Sequence, residues 1–350
     1  MEPLDREPDL ARVSNKMDAT ERNFARSLAF SSIRRMARIY IRWFPWKLGK
    51  QFVKYNYDLH VGWRSHKQIT RTRAGDLMEV SMPDGISSTI FLTGAWEEDA
   101  TRYVRSVLKE GDIFVDVGAN IGYYSVLASR LVGPSGHAFS IEAHPTIHGK
   151  LRRNIELNGR TNVTTINAAA SDHPGELPLF MGPDINPGHT TTVERLAKSE
   201  ELRPSGSIRC DTLEALVGDD LFRARMIKID VEGAEYSVLS PLFSKLDHFS
   251  LSTEWLVELT PSFLDGGQRE IDAIYRAFQA AGYHALLIST LAPVSDRQSK
   301  VDVLMTRRQL LSRPKDDSTH HVCEAFMQLP DGGFQCTVCG SVTADIGDLP

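Results

Sequence analysis

Residues 112–122, DIFVDVGANIG, constrain this chain more than any other stretch. A short run rich in β-branched residues reaches Asp116, passes through Val117-Gly118-Ala119-Asn120-Ile121-Gly122, and gives way to a helical pattern. That is how a buried parallel strand turns tightly into a helix. Open α/β sheets bind nucleotide-like ligands in the crevice at the carboxyl ends of such strands. Gly118 and Gly122 let backbone approach a ligand with no Cβ in the way, and Asn120 is among the few non-glycine residues that tolerate a left-handed conformation. A turn whose glycines serve only the backbone is the plainer alternative. The spacing is not the dinucleotide fingerprint G-x-G-x-x-G, which speaks against a nicotinamide-dependent oxidoreductase.

Three later strand ends extend the pattern. The stretch HAFSIE (137–142) ends in Glu142, where doubly wound nucleotide-binding sheets place an acid that accepts from ribose hydroxyls. VTTIN (163–167) runs into Ala168-Ala169-Ala170-Ser171-Asp172. Asp172 either accepts from an adenine amino group or is a turn acid before Pro174-Gly175. In MIKIDVEGAE (226–235), Lys228, Asp230 and Glu232 interrupt an apolar run at period two, which puts them on one face. Ionised groups are rarely buried unpaired, so the trio lines a polar cleft or forms a strand-end ion pair, and the two are compatible.

Together these residues resemble the FkbM-type family of S-adenosylmethionine (SAM) dependent methyltransferases, whose nucleoside-and-sulfonium loop has the spacing D-x-G-x-(G/N)-x-G. The likeness runs in order through Thr93-Gly94-Ala95-Trp96-Glu97, DVGANIGYYSVLA, Glu142, NIELNG (154–159), AAASD, Asp211-Thr212-Leu213, KIDVEGAEYSVL and Glu254 in STEW, over about residues 77–305. It implies an α/β fold with a seven-stranded Rossmann-like class I methyltransferase sheet and helices on both faces. The implied activity is methyl transfer to a hydroxyl, usually of a sugar, glycolipid or polyketide-like acceptor. Asp116, Gly118, Asn120, Gly122, Glu142 and Asp172 are then the cofactor-binding candidates. Asp230 stands first as the base or acceptor-orienting group, Glu232 second, and Glu254, expected at the end of the next strand, third. Lys228 would hold Asp230 ionised or steady a developing oxyanion. One departure is local: the family usually has Pro directly after the acid of the second strand, and here Ala143-His144 precede Pro145. An N-methyltransferase acting on an amine, and a non-catalytic SAM-binding or partner-recruiting protein, are the alternatives.

A chain of 350 residues is long for one domain. Residues 1–20 read as disordered, 21–75 as a basic helical arm, 76–310 as the methyltransferase domain and 311–350 as a small tail module. Within the domain, LMEVSMPDGISSTIFLTG (77–94) reads as a β-hairpin turning at Pro83-Asp84-Gly85 and packing on the sheet edge. A strand is expected at 249–256. The loop 181–196 is long enough for a substrate lid, in which His189 either contacts the acceptor or faces solvent.

The net charge of -5 conceals a strong asymmetry. From Arg22 to Tyr57 there is no acid, and arginines and lysines interleave with Leu28, Phe30, Met36, Ile39, Ile41, Trp43, Phe44 and Trp46. Such a segment suits an anionic membrane surface or a packed helical arm. Nucleic acid fits less well, because the aromatics are too irregular for a stacking platform and the core is not basic. No run is long and apolar enough to span a bilayer, and MEPLDREPDL is not a secretory signal. The expected location is cytoplasmic, with the arm at the inner face of a membrane. In the tail, His320, Cys323, Cys336 and Cys339 give H-x2-C-x12-C-x2-C, a zinc-ribbon-like spacing of four ligands for a structural Zn²⁺, with His321 the alternative to His320, and with a disulfide or a redox Cys336/Cys339 pair the alternatives to metal. Cys210 reads as a small core residue.

Overall fold

The computed structural model describes residues 32–33, 35–42, 53, 66–82, 84–182, 190–294, 300–307, 310–312, 325–328, 334–336 and 342–343. After the arm helix (32–33 and 35–42), β1 (His66–Arg71) pairs antiparallel with β2 (Leu77–Met82) in a two-stranded sheet of its own. The chain then forms a helix, α1 (Gly85–Thr93), so the hairpin expected over 77–94 is corrected. The β-branched run favours a strand on propensity alone. Here Asp84 caps the helix by accepting from the Ser87 N–H at 2.9 Å, and Gly94 closes it in a left-handed conformation at φ 81°. Ile90, Phe91 and Leu92 are buried. A cap worth about 1 kcal/mol together with core burial outweighs propensity differences of roughly 0.7 kcal/mol per residue.

The domain continues through α2 (Glu98–Val107), β3 (Ile113–Val117), α3 (Tyr123–Leu131), β4 (His137–Ile141), α4 (Pro145–Leu157) and β5 (Val163–Ile166). β6 (Ala169–Ala170), β7 (Gly175–Met181), β8 (Thr190–Thr191) and β9 (Arg203–Asp211) form a second, four-stranded sheet, with α5 (Glu194–Ser199) between β8 and β9. Then come α6 (Leu213–Val217), α7 (Asp220–Arg223), β10 (Met226–Ile229), α8 (Glu235–Leu239), a 3-10 segment (Ser240–His248), β11 (Glu254–Leu259), α9 (Gln268–Ala280), β12 (His284–Leu287) and β13 (Val301–Thr306).

The main sheet has the order β12-β13-β11-β10-β3-β4-β5. Neighbouring strands from β11 to β5 run parallel, and β13 is antiparallel to both of its neighbours. This is the seven-stranded doubly wound sheet that the resemblance implied. The strand order reverses between β3 and β10, the place where such sheets open a crevice. Alternate residues feed two cores, one per face: Phe114, Met226, Leu256 and Leu304 on one side, Val115, Ile227, Trp255 and Met305 on the other.

The expected strand at 249–256 starts later, at Glu254. Before it, the Thr253 N–H donates to the Ser250 carbonyl at 2.9 Å and the Thr253 hydroxyl to the Ala224 carbonyl at 2.6 Å, a serine-rich turn that delays the ladder. The asparagines of NIELNG, one turn apart on α4, bind main chain. Asn154 accepts from the Glu79 N–H at 2.7 Å and donates to the Ile121 carbonyl at 2.8 Å. Asn158 accepts from the Leu77 N–H at 2.8 Å and donates to the Leu77 carbonyl at 2.7 Å. They join β2 to the loop after β3.

In the tail, β14 (Leu310–Ser312), β15 (Ala325–Gln328), β16 (Phe334–Cys336) and β17 (Val342–Thr343) make an antiparallel sheet. The zinc expectation falls largely outside the described residues: His320, His321, Cys323 and Cys339 are not among them, and Cys336 is described only as the last residue of β16. His189 and the rest of 183–189 also lie outside them.

Candidate active site

The site is assembled where β3 and β10 end side by side. Asp116 and Lys228 are register partners across this parallel pair. Their parity places them on the face of Phe114 and Met226, over the helices that follow β3 and β4. Asp116 is buried and accepts from the Ser125 hydroxyl at 2.6 Å. Burial pushes its carboxyl up to about 6 despite the attraction of Lys228.

The glycines of the turn are demanded by the protein's own packing. A Cβ on Gly118 would fall 1.8 Å from the Asp230 carbonyl oxygen, and one on Gly122 would fall 2.5 Å from Leu151 Cδ1. Gly118 lines the cleft, whereas Gly122 caps α3 away from it. Asn120 is left-handed at φ 50°, as its chemistry allows. That conformation points its N–H at Glu142 Oε2, 2.9 Å away, while Glu142 Oε1 accepts from the His144 N–H at 2.8 Å. Burial pushes Glu142 up to about 7. The residues preceding Pro145 have a local purpose: His144 is the N-cap of α4, its Nδ1 accepting from the Thr146 N–H at 3.2 Å, with Pro145 in the first turn.

These residues line a cleft of about 490 Å³, within the range of small-molecule sites. Ala168, Ala169, Ala170, Ile141 and Leu179 form an apolar wall. Asp172 is not among its lining residues. After β5 the chain crosses into the second sheet, and Asp172 emerges exposed with its carboxylate 2.6 Å from His173 Nδ1.

The cleft also holds a cluster of charge. Carboxylate oxygens of Glu97, Asp230 and Glu258 lie within 4.8 Å of one another. Lys228 Nζ donates to Asp230 Oδ2 at 2.8 Å, Lys300 Nζ to Glu258 Oε1 at 2.5 Å, and the Tyr124 hydroxyl to Glu97 Oε2 at 2.9 Å. The Lys228 ammonium also sits 4.9 Å from the Tyr124 ring centroid. Burial alone would pull Lys228 down, but Asp230, Glu97 and Asp116 together outweigh it and hold the ammonium protonated above the usual lysine range. Burial and Asp230 push Glu232 up to about 7, and burial and Glu97 push Asp302 up to about 6. Glu97 and Glu232 both have left-handed backbones, at φ 43° and 49°. Such conformations cost of order 1–3 kcal/mol and gather at functional sites. Buried Glu235 accepts from the Gly233 N–H at 3.1 Å and shapes the loop that carries Glu232.

The structure thus brings Asp116, Gly118, Asn120, Glu142, Lys228, Asp230 and Glu232 to one cleft. It does not bring Glu254, and that expectation is corrected. Glu254 begins β11 opposite Met226, at the amino end of the sheet. There it is buried, accepts from the Tyr103 hydroxyl at 2.9 Å and lies 3.6 Å from Arg225 Nη1. The acid that β11 delivers to the crevice is Glu258, register partner of Asp302. Glu97, Glu258, Lys300 and Asp302 were not singled out as site residues from sequence. The run EWLVEL did carry a signal, an acid at each end of a buried strand, and only the strand's boundary decides which end meets the cleft.

Residues 116–285 match the methyltransferase FkbM domain. They belong to that family. This FkbM domain is a SAM-dependent methyltransferase. The chain is 28% identical over 178 residues to methyltransferase sdnD of Sordaria araneosa, covering 43% of this chain and 67% of that one. It is 41% identical over 59 residues to a protein-L-isoaspartate O-methyltransferase of Methanothrix thermoacetophila, covering 17% of this chain and 28% of that one. It is 26% identical over 157 residues to hexuronic acid methyltransferase AglP of Haloferax volcanii, covering 43% and 58%. The chain therefore spans about two thirds of the first relative and little more than a quarter of the second. The cleft of the FkbM domain suits SAM in its charge: carboxylates surround a space that must accept a sulfonium and an ammonium.

Proposed function

We propose that the protein transfers a methyl group from SAM to a hydroxyl of an uncharged, sugar-like acceptor. The observation that carries this is the convergence of Glu97, Asp230 and Glu258 within 4.8 Å beside half-buried Trp96. Carboxyl oxygens accept hydrogen bonds, which suits hydroxyl donors, and an apolar ring face suits a sugar. The same carboxylates repel an anion. A recess of about 290 Å³ continues the cleft past Glu97, Lys300 and Asp302, and it is lined also by Glu98, Asp99 and Ile288.

SAM supplies a methyl already activated on a sulfonium, so the protein has only to align the acceptor oxygen and take its proton. Alignment lowers such a barrier by about 7–11 kcal/mol at the upper end. Glu142, its oxygens turned into the cleft by two main-chain donors, accepts from the ribose hydroxyls, and Asp116 and the Gly118–Asn120 turn complete that end. Asp230 takes or orients the acceptor proton, and Lys228 donates a hydrogen bond to its carboxylate. Glu232 is the second candidate for that role.

Incubating the purified chain with methyl-labelled SAM and matched panels of neutral glycosides, uronic acids and amino sugars tests this. Label on a hydroxyl of neutral glycosides is expected. Preferential labelling of uronic acids would overturn it. Label on nitrogen would favour the second reading, an amine acceptor, which the carboxylate cluster also attracts. We assign the tail a structural Zn²⁺, supported by the ligand spacing. Metal analysis of the purified protein tests it, and a stoichiometry near zero would remove the assignment. A reducing, cytoplasmic location suits those thiols and the free thiol of Cys210.

A further inference from the structure

The arm packs on the core through one face of its helix. Ile41 is buried, Ala37 and Tyr40 pack against the core cluster, and Arg38 lies 5.3 Å from the Phe91 ring centroid. Arg42 fixes the helix in place: its guanidinium donates to the carbonyls of Ile90, Phe91 and Leu92 at the end of α1, and to Arg71 on β1, at 2.9–3.2 Å. The opposite face is apolar and open. Ile33, Met36 and Ile39, three residues apart, are 44%, 61% and 51% exposed, with exposed Arg35 alongside. Among the described residues β1 pairs only with β2, and its alternate residues Lys67, Ile69 and Arg71 are exposed. Of the five exposed large hydrophobics among the described residues, four lie on these two neighbouring elements, Leu251 being the fifth.

We propose that this face docks on an anionic lipid surface. Aliphatic side chains standing clear of the fold among cations meet what such a surface offers, an apolar boundary beneath negative headgroups. Each lysine or arginine near it is favoured, and Arg35, Lys67 and Arg71 are exposed on these two elements. A second copy of the chain is a poor partner, because two cationic faces repel. Nucleic acid is a poor one too, because isoleucine and methionine offer no flat ring to stack a base. Docking would leave only the arm helix between a membrane and α1, whose following residues Trp96 and Glu97 line the cleft. The inference does not depend on the acceptor assigned above.

Sedimentation of the full-length chain with vesicles tests it. Binding is expected with phosphatidylcholine mixed with phosphatidylglycerol, not with phosphatidylcholine alone, and added salt should release it. Replacing Ile33, Met36 and Ile39 together by Ser should weaken binding about tenfold or more while leaving the melting curve unchanged, since these side chains are exposed. Equal sedimentation with both vesicle types, or none with either, would overturn the proposal, as would unchanged binding by the triple variant. A dimer in light scattering that the triple variant dissolves, without vesicle binding, would assign the face to a second copy. A shift of labelled RNA or DNA without vesicle binding would assign it to nucleic acid.

Discussion

The Asp230 carbonyl oxygen occupies the space where a side chain at Gly118 would begin, 1.8 Å from an ideal Cβ. Two strand ends are therefore in main-chain contact, and the obstructing atom is backbone that no rotamer change can move. Gly118→Ala should separate β3 from β10 at the cleft. The left-handed φ of 81° adds strain. A loss of about 3 kcal/mol or more is expected, read as a fall in Tm, together with loss of SAM binding by calorimetry.

Asp230→Asn should separate chemistry from binding. It keeps the side chain's shape and removes the charge that takes the acceptor proton. Transfer is expected to fall about 10²–10⁴-fold while the SAM Kd changes little. Equal loss of both would place Asp230 in the cofactor site instead.

Glu254→Gln should do the reverse. It leaves Arg225, buried at the amino end of the sheet, without its carboxylate 3.6 Å away. Stability should drop by about 3 kcal/mol in urea melts. At saturating SAM and a temperature well below the melt, kcat should stay within a few-fold of the parent.

SAM affinity should rise with pH. Burial raises Asp116 to about 6 and Glu142 and Glu232 to about 7 in the folded chain. Raised carboxyls favour folding while protonated, so their share of apo stability is full below the unfolded value near pH 4 and lost as pH climbs through 6–7. A cationic ligand favours the ionised forms. The Kd should therefore tighten from about pH 5.5 to about pH 7.5, with protons released on binding. Calorimetry in buffers of different ionisation enthalpy measures that release. An affinity flat across this range would mean that these carboxyls do not sense the ligand's charge.

Arg42→Ala should loosen the arm and α1 together. It strips donors from the Ile90, Phe91 and Leu92 carbonyls at the end of α1. A loss of about 1–3 kcal/mol is expected. Hydrogen exchange should quicken in 85–97, the segment that carries Trp96 and Glu97 into the cleft.

Local chemistry sufficed for much of this protein. The apolar run through DIFVDV, the positive φ that Asn120 and the glycines permit, and the polar residues at period two in MIKID placed Asp116, Lys228 and Asp230 at neighbouring strand ends. Those features depend on residues a few positions apart, so sequence determined them. Where β11 begins depends on the Thr253–Ala224 contact, 29 residues apart, and that contact decided that Glu258 rather than Glu254 meets the cleft. Whether 85–93 is strand or helix was decided by burial against the core. The meeting of Glu97, Asp230 and Glu258 comes from three segments joined only through the ladder and its packed helices. Side-chain period and backbone preference are written along the chain, whereas convergence depends on which distant segments share a ladder and a core, and that was settled only when the sheet closed.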